Sequence, residues 1–239
     1  MIGTLLNALG ILAGGAAGLT VSRSIPTTVQ SRIKICLGAL TVWVGLSLTW
    51  KSVNGPCLHL LKQMTIVVVA LGLGNVIGKL LRIQRGLNQL GRYAKRVMAR
   101  SAPGVSESAG DGFVTCTLLF CVGPMAILGA LQDGLNNDYR TLALKGLMDG
   151  LATMAFINTF GWTVMLSVIP VVAYQGSITL LAARLEPYLH DGPMLDSLNA
   201  TGGLLIFCLA MLILELKKIE VADYLPSLAL APLLTWLWR

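Results

Sequence analysis

Apolar residues dominate eight stretches of the chain, 2–20, 33–50, 64–82, 113–132, 144–160, 163–183, 199–216 and 224–238, separated by short polar or basic segments. Most approach the roughly 20 residues that an α-helix needs to cross the hydrocarbon core of a bilayer. The apolar region from Leu142 to Ala183 is about twice that length at 1.5 Å per residue, so it predicts two spans, with Asn158, Thr159 and Gly161 marking the turn. Pro226 and Pro232 interrupt the short last stretch, and without it the count falls to seven. The pattern predicts an all-α, polytopic transmembrane helix bundle of about eight spans.

Composition agrees with the pattern and narrows the function classes. Hydrophobic residues make up 55% of the 239 residues and charged residues 12%, about half the charged share of a soluble domain. With a mean hydropathy of +0.74, too little polar surface is available to coat a water-soluble core. Nucleic-acid binding, a secreted disulfide scaffold and a disordered regulator are excluded. Cys36, Cys57, Cys116, Cys121 and Cys208 form no CxxC or Cys/His cluster, so they read as free thiols packing as small hydrophobes. The sequence therefore assigns no metal site and no cofactor. The N-terminal apolar run lacks the basic segment of a cleaved signal peptide.

The net charge of +7 becomes informative once it is placed along the chain. With eight spans, three loops fall on one side of the membrane. They hold Arg23, Arg32 and Lys34; Lys79, Arg82, Arg85, Arg92, Lys95, Arg96 and Arg100; and Lys217 and Lys218. The positive-inside rule makes that side cytoplasmic and both termini extracytoplasmic. Asp133, Asp138, Glu186, Asp191 and Asp196 lie on the other side. Within the third loop, Ile83, Leu87, Leu90, Ala94, Val97 and Met98 recur at helical spacing among basic residues, which predicts an amphipathic helix over 83–100 on the anionic inner leaflet. The polar tether 101–112 follows. It divides a first membrane half, 1–100, with three spans and the surface helix, from a second, 113–239, with about five spans.

The halves share weak likenesses. Leu6-Asn7-Ala8-Leu9 parallels Met148-Asp149-Gly150-Leu151, and Lys79-Leu-Leu-Arg-Ile83 parallels Glu215-Leu-Lys-Lys-Ile219. These matches predict a parallel four-plus-four internal duplication, a common transporter plan. Gly10, Gly14 and Gly18 repeat at four-residue spacing, as do Gly74 with Gly78 and Gly146 with Gly150, and such pairs let helix backbones approach closely in lipid. Gly72-x-Gly74-x-x-x-Gly78-Lys79 misses both the Walker and the Rossmann spacing and sits inside a span, so it reads as helix packing.

Polar residues inside the spans carry the candidate chemistry. Asp149 is the one carboxylate well inside a span, where a charge costs about 3 kcal/mol on insertion scales and is usually kept facing a partner or a wet cavity. Lys145 and Thr153 lie one turn to either side on the same face. The set serves equally as an ion or substrate site or as a structural ion pair near the outer interface. Asn7 occupies the matching place on the first span. Gln175 and Thr179 share a helix face after Pro170, and a proline there predicts a freed carbonyl of the kind that holds cations or polar substrates. A second proline-broken span is predicted at Cys121-Val-Gly-Pro124. Asn158 lies near the opposite face, where it could gate a path or cap a helix end.

Several of these segments together resemble the bacterial YdfK/YqgA-like family: Phe120-Cys-Val-Gly-Pro-Met-Ala-Ile-Leu-Gly-Ala-Leu-Gln-Asp-Gly134, Lys145-Gly-Leu-Met-Asp-Gly150, Tyr174-Gln-Gly-Ser-Ile-Thr-Leu180 and Gly202-Gly-Leu-Leu. Gly3-Thr-Leu-Leu-Asn7 and Val221-Ala-Asp-Tyr-Leu-Pro226 fit as well, so the resemblance covers nearly the whole chain. It departs at Asp223-Tyr224-Leu225-Pro226, where the family has Asn-Met-Leu-Pro. The resemblance implies a multi-spanning inner-membrane protein of unknown function.

The expected function is a small secondary transporter or ion-conducting protein acting on an ion or small solute at Asp149, Asn7, Lys145, Gln175, Thr179 and Asn158. The alternative is a non-transporting scaffold or regulator that recruits a partner or anionic lipid through 83–100. An intramembrane enzyme is not expected, because no HExxH, no GxSxG and no paired intramembrane aspartates occur. Nucleic acid is not an expected partner, and a homo-oligomer is compatible with the sequence.

Overall fold

In the computed structural model, residues 1–20, 27–53, 57–86, 88–89, 93, 108–121, 123–186 and 192–238 are described. The surface helix expected over 83–100 and the tether 101–112 lie largely outside the described residues. Among the described residues the chain is all-helical, with no strand. Among the described residues these α-helices follow one another: α1 (Ile2–Thr20), α2 (Thr27–Ser52), α3 (Cys57–Leu80), α4 (Ser108–Cys121), α5 (Pro124–Asn136), α6 (Arg140–Phe160), α7 (Val168–Leu185), α8 (Gly192–Ile213) and α9 (Ser227–Leu237); residues 83–86, 88–89 and 93 are helical as well. Short 3₁₀ turns at Trp162–Ser167 and Val221–Tyr224 lead into α7 and toward α9.

Five helical segments are long and apolar enough to cross a membrane: Ile2–Thr20, Ser31–Ser52, Leu60–Leu80, Trp162–Leu185 and Gly192–Ile213. The bent pair α4–α5 makes a sixth if it counts as one span. The remaining two stretches expected to cross are the polar α6, with Arg140, Lys145 and Asp149, and the short α9. Large apolar side chains are exposed along these helices, Leu5, Leu9, Trp43, Val68, Ile169 and Leu180 among them, as lipid-facing surfaces require.

Two breaks were expected from proline, and the structure holds one. At Gly123–Pro124, α4 and α5 meet at a bend of 58°, because Pro124 cannot donate the N–H that would continue α4. Pro170 breaks nothing. It lies in the first turn of α7, where proline is tolerated, and the 3₁₀ turn Trp162–Ser167 runs directly into that helix, so that Trp162–Leu185 counts as one 24-residue segment. The predicted turn near Asn158 falls at Gly161, which ends α6 with φ 75°, a conformation that favours glycine.

The chain forms two compact units, Met1–Ile33 with Leu87–Ala183 and Lys34–Gly86 with Arg184–Arg239, so each unit is assembled from two separate stretches of the sequence. In the first unit, α1 lies along α6 in the most extensive helix pair among the described residues. A Cβ on Gly10 would meet the backbone of Gly146, and one on Gly14 the backbone of Gly150. The two registers advance together, so α1 and α6 run in the same direction with their glycines interlocked. Ile11, Cys116, Phe120, Ile157, Phe160, Val164 and Val171 form the apolar core beside them.

The second unit repeats the device with opposite direction. Gly45 of α2 faces Gly203 of α8, while Gly38 faces Leu214, so α2 and α8 are antiparallel. Gly74 and Gly78 of α3 face Ser227 and Asp223, so α3 and α9 are antiparallel as well. Arg82, with φ 55°, turns the chain after α3. There the Gln84 N–H donates to Asp223 Oδ1 at 2.7 Å, and the Ala222 N–H donates to Gln84 Oε1 at 3.1 Å, a reciprocal clamp between two segments far apart in sequence.

Candidate functional site

The site is built on the glycine contact between α1 and α6. Because Gly146 has no side chain, the backbone of Asn7 comes within 2.9 Å of where its Cβ would be. Asn7 is thereby inserted beside the polar face of α6. On that face Lys145 and Asp149, four residues apart, form an ion pair, and the Asn7 carboxamide also faces the Asp149 carboxylate. Lys145 is 5% exposed and Asp149 8%, so the pair is enclosed. The Lys145 ammonium also lies 5.8 Å from the centre of the Phe120 ring, one turn before the break between α4 and α5. Cys116 and Cys121 of α4 are electrostatic neighbours of the same pair.

α7 supplies the other wall. Asn7 Nδ2 donates to Gln175 Oε1 at 3.0 Å, and both residues are fully buried. One turn on, the Thr179 hydroxyl lies 3.4 Å from that of Thr4 and donates to the Ala130 carbonyl at 3.2 Å. The contact leaves atoms over. Among the described residues, Asn7 Oδ1 and Gln175 Nε2 are buried with no hydrogen-bond partner. Exchanging oxygen and nitrogen in both amides would change which atoms are unmatched, but one acceptor and one donor would still remain.

Of the six residues singled out from sequence, five are therefore brought together: Asn7, Lys145, Asp149, Gln175 and Thr179. Asn158 lies in the last turn of α6, nine residues beyond Asp149 and about 13 Å further along the axis; its side chain lies outside the described residues. Thr153, on the same face, donates to the Asp149 backbone carbonyl.

Sequence reasoning missed Asp133. From sequence it is one of the acidic residues on the extracytoplasmic side, yet it is 1% exposed and caps α1: its Oδ2 accepts from the Gly3 N–H at 3.0 Å and the Thr4 N–H at 3.4 Å, with the Met1 nitrogen 3.0 Å away. A buried carboxylate at a helix N-terminus meets unpaired N–H groups and the positive end of the helix dipole. Beside it, Thr141 donates to Gln132 Oε1 at 2.8 Å. These contacts fix the start of α1, and hence the depth of Asn7, against α5 and α6. Gln63 of α3, in the second unit, was missed too. It is buried, with neither amide atom partnered among the described residues.

Apolar helices with lipid-facing surfaces, enclosing an ion pair and two carboxamides, define a polytopic helical membrane protein. The chain belongs to the DUF554 family, described as a protein of unknown function, which it matches over residues 2–236. It is 28% identical to the uncharacterized membrane protein YdfK of Bacillus subtilis over 235 residues, 97% of this chain and 94% of that protein. It is also 28% identical to the uncharacterized protein YqgA of Escherichia coli over 240 residues, 100% of this chain and 97% of that protein. No solved structure matches the chain.

Proposed function

We propose that this protein is a small secondary transporter or ion-conducting protein of the inner membrane, with its polar site at Asn7, Lys145, Asp149, Gln175 and Thr179. One observation carries the proposal: a buried ion pair faces the Asn7 carboxamide, which is hydrogen-bonded to that of Gln175, and these two fully buried amides leave an acceptor and a donor unmatched. Stability alone does not account for such a cluster. Well-packed apolar residues in place of a buried ion pair are often as stable or more so, by about 1–4 kcal/mol, and each unmatched buried polar atom costs about 1–3 kcal/mol. Polar groups retained in a membrane at that cost commonly lie on a path for ions or solutes. The neighbouring break at Pro124 fits, because discontinuous helices accompany transporter sites.

Helix directions support the eight-span topology. In the first unit, α1 and α6 run together, and α5 and α7 run together, since Ala130 meets Thr179 while Gly134 meets Ala182. In the second, α2 opposes α8 and α3 opposes α9. Eight alternating crossings, with α4–α5 as one bent span, require each of these relations. The like-directed α1 and α6, each with glycines at four-residue spacing, are also what favours a parallel duplication. The basic loops then face the cytoplasm and both termini the other side.

Purified protein in liposomes, assayed for flux across a panel of inorganic ions and small polar solutes, tests the reading. At least one solute should cross faster than in protein-free liposomes, and Asp149→Asn should lower that rate about tenfold or more. Equal fluxes for parent and variant across the panel would remove Asp149 from the mechanism. The second reading, a scaffold acting through 83–100, draws on the Gln84–Asp223 clamp, which fixes the start of that basic segment. It expects deletion of 87–100 to abolish function while Asp149→Asn is mild.

A further inference from the structure

We infer that the site takes a small zwitterion of the amino-acid type, a molecule carrying one carboxylate and one ammonium, in the cluster of Lys145, Asp149, Asn7 and Gln175. The inference rests on the transporter reading and names its substrate class. The argument begins from charge. Lys145 and Asp149 are both enclosed and neutralise one another. A lone cation drawn to Asp149 would leave the Lys145 ammonium without its counter-ion, and a lone anion drawn to Lys145 would do the same to the carboxylate. An uncompensated buried charge is the strongly unfavourable outcome in such sites. A dipolar ion inserted between the two keeps the net charge at zero and gives each charged group a new partner of opposite sign.

The carboxamides supply the second half of the argument. Among the described residues, the site carries one unmatched acceptor, Asn7 Oδ1, and one unmatched donor, Gln175 Nε2, on residues that already touch each other. A carboxylate is an acceptor alone and an ammonium a donor alone. The ligand's carboxylate therefore suits Lys145 Nζ with Gln175 Nε2, and its ammonium suits the Asp149 carboxylate with Asn7 Oδ1. Exchanging oxygen and nitrogen in both amides swaps which amide serves which end and leaves the match intact. Opening the ion pair needs a place for the ammonium of Lys145 to move, and the face of Phe120, 5.8 Å away, offers cation–π contact there.

The test uses the full chain in liposomes with glycine, alanine and serine as zwitterions, and acetate, methylammonium, sodium, potassium and chloride as singly charged probes. The thermal unfolding midpoint of the detergent-purified protein is read with each probe as well. The expected result is flux of at least one zwitterion above the protein-free rate, with every singly charged probe at that rate. Asn7→Leu and Gln175→Leu should each lower zwitterion flux about tenfold or more, the scale of one hydrogen bond to a charged group. Lys145→Met combined with Asp149→Leu keeps the site neutral, so it should fold and transport none of them.

If singly charged probes cross as fast as the zwitterions, or cross while the zwitterions do not, the substrate class is overturned and the transporter reading stands. If nothing crosses, but a zwitterion raises the midpoint of the parent and not that of Asn7→Leu, the zwitterion site is supported and the transporter reading fails. If nothing crosses and no probe moves the midpoint, both fail.

Discussion

At the scale of single residues, the ion pair has a measurable signature. Removing one member leaves the other buried and uncompensated, so Lys145→Met or Asp149→Leu alone should destabilise the protein by about 3–5 kcal/mol. The double variant leaves no charge behind and should return close to the parent. Unfolding of the three purified variants in detergent checks this, and additive losses in the double variant would show that the two charges do not depend on each other. The pair was legible in the sequence because its geometry is local: four residues on a helix place Lys145 and Asp149 one above the other, whatever the rest of the fold does. Asn7, Gln175 and Thr179 were legible in a weaker sense, as polar residues in apolar runs without an evident partner. Asp133 was not. Its partners, the N–H groups of Gly3 and Thr4, lie about 130 residues away in the chain, and no periodicity encodes that distance. Asp133→Ala should cost about 1–2 kcal/mol, the scale of a lost helix cap. The loss should appear as faster amide exchange at Gly3 and Thr4, and unchanged exchange there would show that the cap holds nothing in place.

At the scale of helices, glycine positions separate packing from propensity. A methyl group on Gly10, Gly14 or Gly150 would enter facing backbone, which cannot move aside as a flexible side chain can. Gly10→Ala and Gly14→Ala should therefore lower the unfolding midpoint, although alanine is the better helix former. Gly72 of α3 has no atom within 4 Å of where its Cβ would be, so Gly72→Ala should show the propensity gain alone, about 1 kcal/mol of stabilisation. If Gly10→Ala behaved like Gly72→Ala, the close crossing of α1 and α6 would be wrong, and with it the insertion of Asn7 beside Gly146. The helices themselves were readable from their apolar runs, and the turn at Gly161 from the length of the run that contains it. A break at Pro170 does not follow from the residue alone, because a proline by itself does not decide whether the chain bends. Pro124 and Pro170 both lie in the first turn of a helix, α5 and α7, where proline is tolerated; what differs is the chain before them, since α4 ends at Cys121 ahead of the bend while the 3₁₀ turn Trp162–Ser167 runs directly into α7.

At the scale of the whole molecule, α6 is where composition and packing disagree. Its Arg140, Lys145 and Asp149 keep it from qualifying as a span on apolarity, because an apolarity average treats every face of a helix as meeting lipid. The polar face of α6 instead meets Asn7 and Phe120, and Lys145 and Asp149 satisfy one another there. A helix whose charges are enclosed by neighbours can cross a bilayer that would reject it alone. The proposed alternating topology is testable through two positions at helix ends. Asn137, which ends α5 with φ 53°, and Glu215, which follows α8 with φ 58°, are separated by α6, α7 and α8. Three crossings put them on opposite sides of the membrane, and two put them on the same side. In a chain with its native cysteines replaced by serine or alanine, Asn137→Cys should react with an impermeant maleimide added outside spheroplasts. Glu215→Cys, beside Lys217 and Lys218, should react only after the membrane is opened. Labelling of both from outside, or of neither, would mean that α6 does not cross. The enclosed cluster on its face would then have no path through the membrane to serve.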